Sequence, residues 1–292
     1  MKPAAGVIGL GIMGGAFARH ISEKGFDVFG YDISEETSRR ASADGVTLMT
    51  SASDVAQNSK SVICSLPSAS ALKEVAEEIA SSVSNKCIVV EASTFTISDK
   101  EKARDILESA GHTLLDCPVS GTGQQAKTGD LAVFTSGHKD SVVECLPVIE
   151  AFSRENKYCG PFGAGSKMKF VANHLVTVHN TAAAEAMVLG MKSGLDPALI
   201  FDVISTSAAT SRMFQVRGKM MSDNKYDEVG MSNRLYQKDL DIISAFAAEV
   251  GCPVNLFMAA VQPYRATLAQ GLGEKDTAAV CAVLEDQARV ER

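Results

Sequence analysis

Several patterns that identify common classes of protein are missing from this sequence of 292 residues. The seven cysteines are odd in number and no two have C-x-x-C spacing, which excludes the usual zinc pattern and a disulfide framework. No run approaches the roughly 20 apolar residues that span a bilayer, and we expect no signal peptide before the first strand. No internal repeat, low-complexity run or long linker is present. These absences predict a cytoplasmic protein with its cysteines reduced and no membrane partner.

Positive charge is also in short supply. The chain has 28 Lys and Arg against 35 Asp and Glu, a formal net charge of −7. Nucleic-acid binding needs clustered basic residues, so we expect no nucleic-acid partner. An acidic protein can still contain a locally positive pocket, so a small carboxylic-acid substrate remains open. The length predicts two domains.

Short apolar runs alternate with amphipathic stretches over the first 160 or so residues. The runs lie at 6–8, 27–31, 61–66, 87–90, 113–115, 131–134 and 157–159. Helical patterns lie between them, for example at 14–24, 34–43, 69–80 and 97–110. Strands that alternate with helices of this length predict βαβ units on a parallel sheet.

A glycine motif follows the first apolar run, with the sequence Gly9-Leu10-Gly11-Ile12-Met13-Gly14. A G-x-G-x-x-G is a weak signal by itself, but this one follows a strand, opens a helix and precedes a second strand that ends in Asp32. Gly9 permits a tight turn, Gly11 lets a pyrophosphate approach the backbone, and Gly14 lets helix and strand pack closely. The motif therefore predicts a dinucleotide site.

Asp32 bears on which dinucleotide binds. It lies where a carboxylate accepts hydrogen bonds from the ribose hydroxyls of the cofactor. A 2′-phosphate would meet a like charge there, and Ile33 and Ser34 supply no guanidinium to offset it. We therefore expect NAD in preference to NADP.

The remaining patterns are helical. Apolar residues recur at three- and four-residue steps from Ala164 to about Lys192, which predicts one long helix with Met168, Val171, Leu175, Val178 and Ala182 on one stripe. Further helices are predicted at 197–205, 211–221, 235–250, 254–270 and 275–290. The expected fold class is α/β, with an N-terminal Rossmann dinucleotide-binding domain in residues 1–162 and an all-α C-terminal domain in residues 163–292.

Three further segments occur in a fixed order after the glycine motif. They are Asp116-Cys117-Pro118-Val119-Ser120-Gly121-Thr122-Gly123, the stretch 163–173 that contains Lys169 and Asn173, and Lys238-Asp239-Leu240. Over essentially the whole chain, these segments resemble the motifs of the β-hydroxyacid dehydrogenases. The resemblance implies a Rossmann domain, a long interdomain helix, an all-helical C-terminal domain and assembly into a homodimer or homotetramer.

The resemblance also implies roles for single residues. Lys169 would be the acid/base residue, and Asn173, one helical turn away, would orient the lysine or the substrate hydroxyl. Three residues would hold the substrate carboxylate: Ser120, Gly121 and Thr122, the last of which stands where the family has glycine. Four more would contact the cofactor: Leu66, Pro67, Thr94 and Lys238. The implied reaction is oxidation of a small 3-hydroxy acid by hydride transfer to NAD, with no metal.

The substrate and the direction of reaction stay open at this point. Residues 163–169, Val178-His179 and the stretch 182–187 are similar to the L-threonate dehydrogenase branch, which favours a four-carbon sugar acid over 3-hydroxyisobutyrate. A reductase of tartronate, glyoxylate or succinic semialdehyde is an alternative, and the keto product of an oxidation could also lose carbon dioxide. A non-catalytic NAD-binding module is a third possibility, because fold alone does not fix function. An imine reductase is disfavoured, because such proteins typically lack the lysine.

Overall fold

A computed structural model describes residues 2–292. The chain divides into two compact units, one ending at Lys169 and the other comprising Phe170–Arg292. The division falls inside a single long helix, which begins in the first unit and continues into the second.

The first unit contains a nine-stranded sheet. Its strands are β1 (Ala4–Ile8), β2 (Asp27–Tyr31), β3 (Thr47–Leu48), β4 (Ser61–Cys64), β5 (Ile88–Glu91), β6 (Thr113–Asp116), β7 (Val119–Ser120), β8 (Ala132–Ser136) and β9 (Glu155–Gly160). Its helices are α1 (Ile12–Glu23), α2 (Glu35–Ala43), α3 (Ala52–Asn58), α4 (Ala69–Ser82), α5 (Ile97–Ser109), α6 (Gly123–Thr128), α7 (Lys139–Phe152) and the start of α8 (Ala164–Lys192). Helices α2 to α6 each have a serine or threonine N-cap, whose hydroxyl accepts a hydrogen bond from an amide of the first turn.

The strand order is β3-β2-β1-β4-β5-β6-β8-β7, and β9 pairs with β8. The six strands from β3 to β6 are parallel, and the chain reverses its order between β1 and β4, as in dinucleotide-binding sheets. The prediction of a parallel sheet is confirmed for these strands and for the pair β8 and β9, but it is wrong where β8 runs antiparallel to β6 and β7. The connection from β6 to β8 holds only β7 and the six-residue α6, so it supplies no long crossover helix to return the chain in parallel.

Apolar side chains cover both faces of this sheet. Val7, Ile88 and Val90 pack in one hydrophobic cluster, whereas their strand neighbours Ile8 and Val89 pack in another. Successive strand residues point to opposite faces, so burial of both faces requires almost continuous apolar runs. This is the physical reason for the uninterrupted apolar strands seen in the sequence.

The second unit is helical, as predicted. After α8 it contains α9 (Pro197–Thr206), α10 (Arg212–Asp223), α11 (Asn233–Glu249), α12 (Asn255–Ala269), a short 3₁₀ turn (Thr277–Ala279) and α13 (Val280–Ala288). The last predicted helix begins later than expected because Asp276 first caps the 3₁₀ turn, its carboxylate accepting from the amide of Ala278. Within residues 2–292, no helix combines the length and the apolar character needed to cross a membrane.

The first part of α8 buries a different set of residues from those that an amphipathic helix usually buries. Met168, Val171 and Leu175 of its apolar stripe are exposed, whereas Lys169 and Asn173 are buried. The periodicity predicted the helix and its stripe, but over residues 165–177 most of the buried side chains are polar and the apolar stripe is exposed, whereas the second half of α8 buries apolar side chains such as Met187.

Candidate active site

The glycine motif forms the turn between β1 and α1, where two of its three glycines are required by space. Gly9 has φ +82°, and a Cβ there would lie 2.2 Å from the carbonyl oxygen of Ser65. A Cβ on Gly14 would lie 1.8 Å from the carbonyl oxygen of Gly9. A Cβ on Gly11, by contrast, would meet no atom within 4 Å. Gly9 and Gly14 therefore let the turn and helix pack, while Gly11 keeps open the space beside the backbone.

The first turn of α1 presents amides to this open space. Gly11 is the N-cap residue and has no side chain to accept hydrogen bonds from the first-turn amides. Leu10 is buried beneath the turn, whereas Ile12 is exposed. Amides at the positive end of a helix dipole, beside an open glycine, fit the pyrophosphate of a dinucleotide.

Asp32, directly after β2, is tied to the glycine motif. One of its carboxylate oxygens accepts from the amide of Leu10 at 2.7 Å, and the other accepts from the amide of Ser34 at 2.8 Å. A carboxylate has about four acceptor positions, so these two bonds hold the group in place and leave capacity for hydroxyl donors. The geometry fits a ribose diol next to the glycine turn.

The segments after β4 and β5 meet at the same edge of the sheet. The amide of Leu66 donates to the hydroxyl of Ser93 at 2.8 Å. This bond joins the segment with Leu66 and Pro67 to the segment with Thr94, so the topology brings together residues that were predicted to contact the cofactor and that lie far apart in the sequence. β4 neighbours β1 in the sheet order and β5 lies next to β4, so both segments lie on the side of β1 where the chain reverses its order.

The predicted carboxylate-binding residues lie at the end of β7. Gly121 has φ +145°, and a Cβ there would lie 2.4 Å from Cδ2 of Leu131. Thr122 is the N-cap of α6: its hydroxyl accepts from the amide of Gln125, and its own amide donates to the Gln125 side chain. The hydroxyl of Thr122 therefore caps a helix, a role that the comparison with the family glycine did not anticipate.

A buried group of charged side chains lies at the ends of β5 and β6, and the sequence analysis missed its central residue. We call Glu91, Lys100 and Asp116 the Lys100 cluster. The Lys100 ammonium lies 2.5 Å from a Glu91 oxygen and 2.8 Å from an Asp116 oxygen. All three side chains are fully buried. A signal was present, because Lys100 occupies the buried stripe of α5 with Ala103 and Leu107 at helical spacing.

The protonation preferences in the Lys100 cluster differ. Burial raises the pKa of Glu91 and outweighs the nearby ammonium. Burial acts in the same sense on Asp116, but Lys100 and the Ser166 bonds hold the pKa of Asp116 below its usual value. Burial opposes the charge of Lys100, yet the two carboxylates raise its pKa above the usual value. The surroundings therefore favour the charged forms of Lys100 and Asp116 and oppose the charged form of Glu91.

Lys169 lies in the second turn of α8, and its side chain is 8% exposed. Asn173 follows one helical turn later and is also buried. Its amide nitrogen donates to Asp239 at 2.9 Å, and its backbone oxygen accepts from the Thr177 hydroxyl at 2.8 Å. Lys238 lies on α11 and is exposed. The bond to Asp239 fixes the orientation of the Asn173 side-chain amide.

Other polar residues of the chain have structural roles. His174 stacks on Phe257 with ring centroids 5.3 Å apart, so it is a packing residue. The seven cysteines are free thiols, five of them buried, with Cys252 exposed and Cys159 between. In residues 2–292, no three His, Cys, Asp or Glu side chains are grouped as metal ligands.

Two protein-family models match the chain. Residues 4–160 match the NAD binding domain of 6-phosphogluconate dehydrogenase. Residues 163–284 match the NAD-binding domain of NADP-dependent 3-hydroxyisobutyrate dehydrogenase. Together these models span nearly all of both units.

Curated relatives and solved structures are similar over the whole chain. The mitochondrial 3-hydroxyisobutyrate dehydrogenase of Mus musculus is 30% identical, over 98% of this chain and 88% of its own. The L-threonate dehydrogenase of Cupriavidus necator is 30% identical, over 96% of this chain and 95% of its own. The crystal structure of 3-hydroxyisobutyrate dehydrogenase from Salmonella typhimurium is 26% identical and superposes with a TM-score of 0.87, covering 97% of this chain and 100% of its own.

Proposed function

Since the chain belongs to the β-hydroxyacid dehydrogenase family, we propose that it oxidises a small 3-hydroxy acid with NAD and that Lys169 is its acid/base residue. Members of this family are hydroxyacid oxidoreductases that use a nicotinamide dinucleotide. The main support is the burial of Lys169 and Asn173 one turn apart on α8, in a chain whose glycine turn fits a dinucleotide. A lysine buried on the polar face of a helix, while apolar residues of that helix stay exposed, suits a chemical role better than a packing role.

The proposed chemistry assigns one task to each residue. When bound, the nicotinamide ring supplies the acceptor of the hydride. Lys169 holds the substrate hydroxyl and takes its proton; in the carbonyl direction it donates that proton and stabilises the developing negative charge. Asn173, oriented by Asp239, aligns the lysine or the hydroxyl.

The substrate carboxylate is assigned to Ser120 and Gly121. Both the hydroxyl and the amide of Thr122 are engaged with Gln125, so we assign Thr122 a contribution to the shape of the site only. This differs from a hydrogen bond between Thr122 and the substrate, which the sequence alone left open.

A panel of hydroxy acids tests the proposed reaction. The panel contains L-threonate, D-erythronate, 3-hydroxyisobutyrate, D-glycerate, 4-hydroxybutyrate and L-serine, each with NAD and with NADP. We expect reduced-cofactor absorbance to rise with L-threonate or 3-hydroxyisobutyrate, the substrates named in two of the relatives. If the chain binds NAD but turns over no member of the panel, and none of the matching aldehydes or ketones in the reverse direction, a non-catalytic module is the better description.

Cofactor preference is tested at Asp32. The second family model is that of an NADP-dependent enzyme and so does not favour NAD. The proposed preference for NAD therefore depends on the Asp32 carboxylate. We expect Asp32→Ser to weaken NAD about tenfold, because one charge-assisted hydrogen bond to the ribose, worth about 1.5 kcal/mol, is lost, and to improve NADP by removing a like charge. Fluorescence titration with both cofactors measures the change. An unaltered ratio of the two affinities would refute the assignment of Asp32.

We also propose that a second copy of this chain covers the exposed stripe of α8. Met168, Val171, Leu175 and Leu189 are exposed at helical spacing on one long helix. Exposed apolar residues at helical spacing of this kind are typical of a helix face that another chain covers. The oligomer is thus expected to be a homodimer or a homotetramer.

Paired aspartate substitutions test the assembly. Val171→Asp should yield monomers in light scattering after gel filtration, because a charge would be buried in the apolar contact. Val143→Asp is the matched control, since Val143 on α7 and Val171 have the same exposed fraction of 56%. A wild-type monomer, or equal dissociation of both variants, would argue against an interface on α8.

A further inference from the structure

The Lys100 cluster demands an explanation beyond stability. Glu91 and Asp116 are the last residues of β5 and β6 and are direct register partners, so their carboxylates meet at one edge of the sheet. Burial of ionised groups is costly, and apolar side chains of similar volume often stabilise a core equally well. The contacts of the cluster with other parts of the chain suggest a further role.

One set of contacts runs from Asp116 to the first turn of α8. Its Oδ2 accepts from the amide of Ser166 at 2.8 Å, and its Oδ1 accepts from the Ser166 hydroxyl at 2.7 Å. Ser136 adds a second link, because its hydroxyl donates to Asp116 and accepts from the amide of Gly165 at 2.9 Å. First-turn amides have no partner within their own helix, so these sheet residues fix the direction in which α8 starts.

Gly165 shows how closely the start of α8 approaches the sheet. A Cβ at this position would lie 2.4 Å from the carbonyl oxygen of Phe134 and 2.6 Å from that of Asp116. Lys169 follows Ser166 by three residues, which is close to one helical turn. A displacement of the Asp116 carboxylate would therefore be transmitted to the position of Lys169.

A second set of contacts runs from Lys100 and Glu91 to Ser93. The Lys100 ammonium donates to the carbonyl oxygen of Ser93 at 2.8 Å, and Glu91 accepts from the Ser93 amide at 2.7 Å. The Ser93 hydroxyl in turn accepts from the amide of Leu66. Ser93, the residue directly before Thr94, is therefore fixed by three hydrogen bonds, through its carbonyl oxygen, its amide and its hydroxyl.

We propose that Lys100 is a positioning residue: its ammonium connects the first turn of α8, one turn before Lys169, to the segment beside Thr94, so that both keep one fixed arrangement for hydride transfer. Lys100 acts through Asp116 and Ser166 on one side and through Ser93 on the other. This inference rests on the proposed function, since it gives the cluster a task in that reaction.

Hydrogen exchange tests the link to α8 without any substrate. In Lys100→Met, Asp116 loses its ion pair, and we expect the amides of Gly165 and Ser166 to exchange at least about tenfold faster, as their acceptors are released. Exchange in the stretch 255–269 of α12 is the internal reference. Unchanged exchange at the start of α8 would overturn the proposal.

Ser166→Ala provides a milder variant in case Lys100→Met does not fold. It removes one hydrogen bond to Asp116, and we expect kcat to fall about tenfold while KM for NAD stays within about twofold. Ser51→Ala is the control: it removes the cap of α3, where the hydroxyl accepts from the Asp54 amide, and should leave kcat unchanged. Equal kcat losses in both variants, or none in Ser166→Ala, would reduce the cluster to a structural role.

These measurements separate two failures. If the wild-type chain turns over no hydroxy acid but Lys100→Met accelerates exchange at Gly165 and Ser166, the proposed function fails and the positioning of α8 stands. If the wild-type chain is active and neither exchange nor kcat responds, the positioning role fails and the proposed function stands.

Discussion

Replacing Lys169 by alanine should leave a protein that binds NAD but oxidises its hydroxy acid about 10³-fold more slowly, within the usual range for loss of a general acid or base. The substrate hydroxyl would lose the group that accepts its proton, while the glycine turn, Asp32 and the segment with Leu66 would stay intact. Steady-state kinetics gives kcat, and fluorescence titration gives the affinity for NAD. Small primary amines in the buffer should restore part of the rate, because the alanine leaves room for an amine.

Lys167→Ala is the matched control for this experiment. Lys167 lies two residues earlier on α8 and is exposed, and its replacement changes the net charge by the same amount. Its kcat should remain within about twofold of the wild type, as is usual for exposed positions away from a site. If Lys169→Ala turns over normally, or if Lys167→Ala loses as much rate, Lys169 is not the acid/base residue.

The glycine turn shows what a sequence can predict well. Any side chain at Gly9 would clash with Ser65, and any side chain at Gly14 would clash with the turn itself. Steric requirements of this short range produce a recognisable spacing of glycines in the sequence. Asp32 could be predicted equally well, because its hydrogen-bond partner Leu10 lies in the glycine motif that precedes it in the sequence. Local geometry and the order of strands together predicted these residues.

The Lys100 cluster shows why other residues escape prediction. Within α5, Lys100 and Lys102 lie two residues apart in a charged stretch, yet one is fully buried and the other exposed. Their difference depends on the register of β5 and β6, which brings Glu91 beside Asp116. The amino-acid pattern does not encode that register directly. In helix α8 the apolar residues were the ones whose burial could not be predicted. The periodicity located an apolar stripe but did not show that the stripe is exposed.

The space beside Gly11 supplies the second large expected effect. Gly11→Ala should fold as well as the wild type, because the residue has φ −61° and its Cβ would meet no atom within 4 Å. The added methyl group would nevertheless occupy the path by which a pyrophosphate reaches the first amides of α1. Loss of one or two charge-assisted hydrogen bonds, at about 1.5–3 kcal/mol each, should weaken NAD roughly 100-fold.

Gly14→Ala is the informative comparison, since its Cβ would lie 1.8 Å from the carbonyl oxygen of Gly9. We expect that variant to lower the melting temperature of the free protein, whereas Gly11→Ala should leave it unchanged. Thermal unfolding without cofactor and titration with NAD distinguish the two glycines. A Gly11→Ala protein that binds NAD as tightly as the wild type would show that the pyrophosphate does not lie against this turn. The assignment of the cofactor site would then have to move, even though Gly9 and Gly14 would still be needed for the fold.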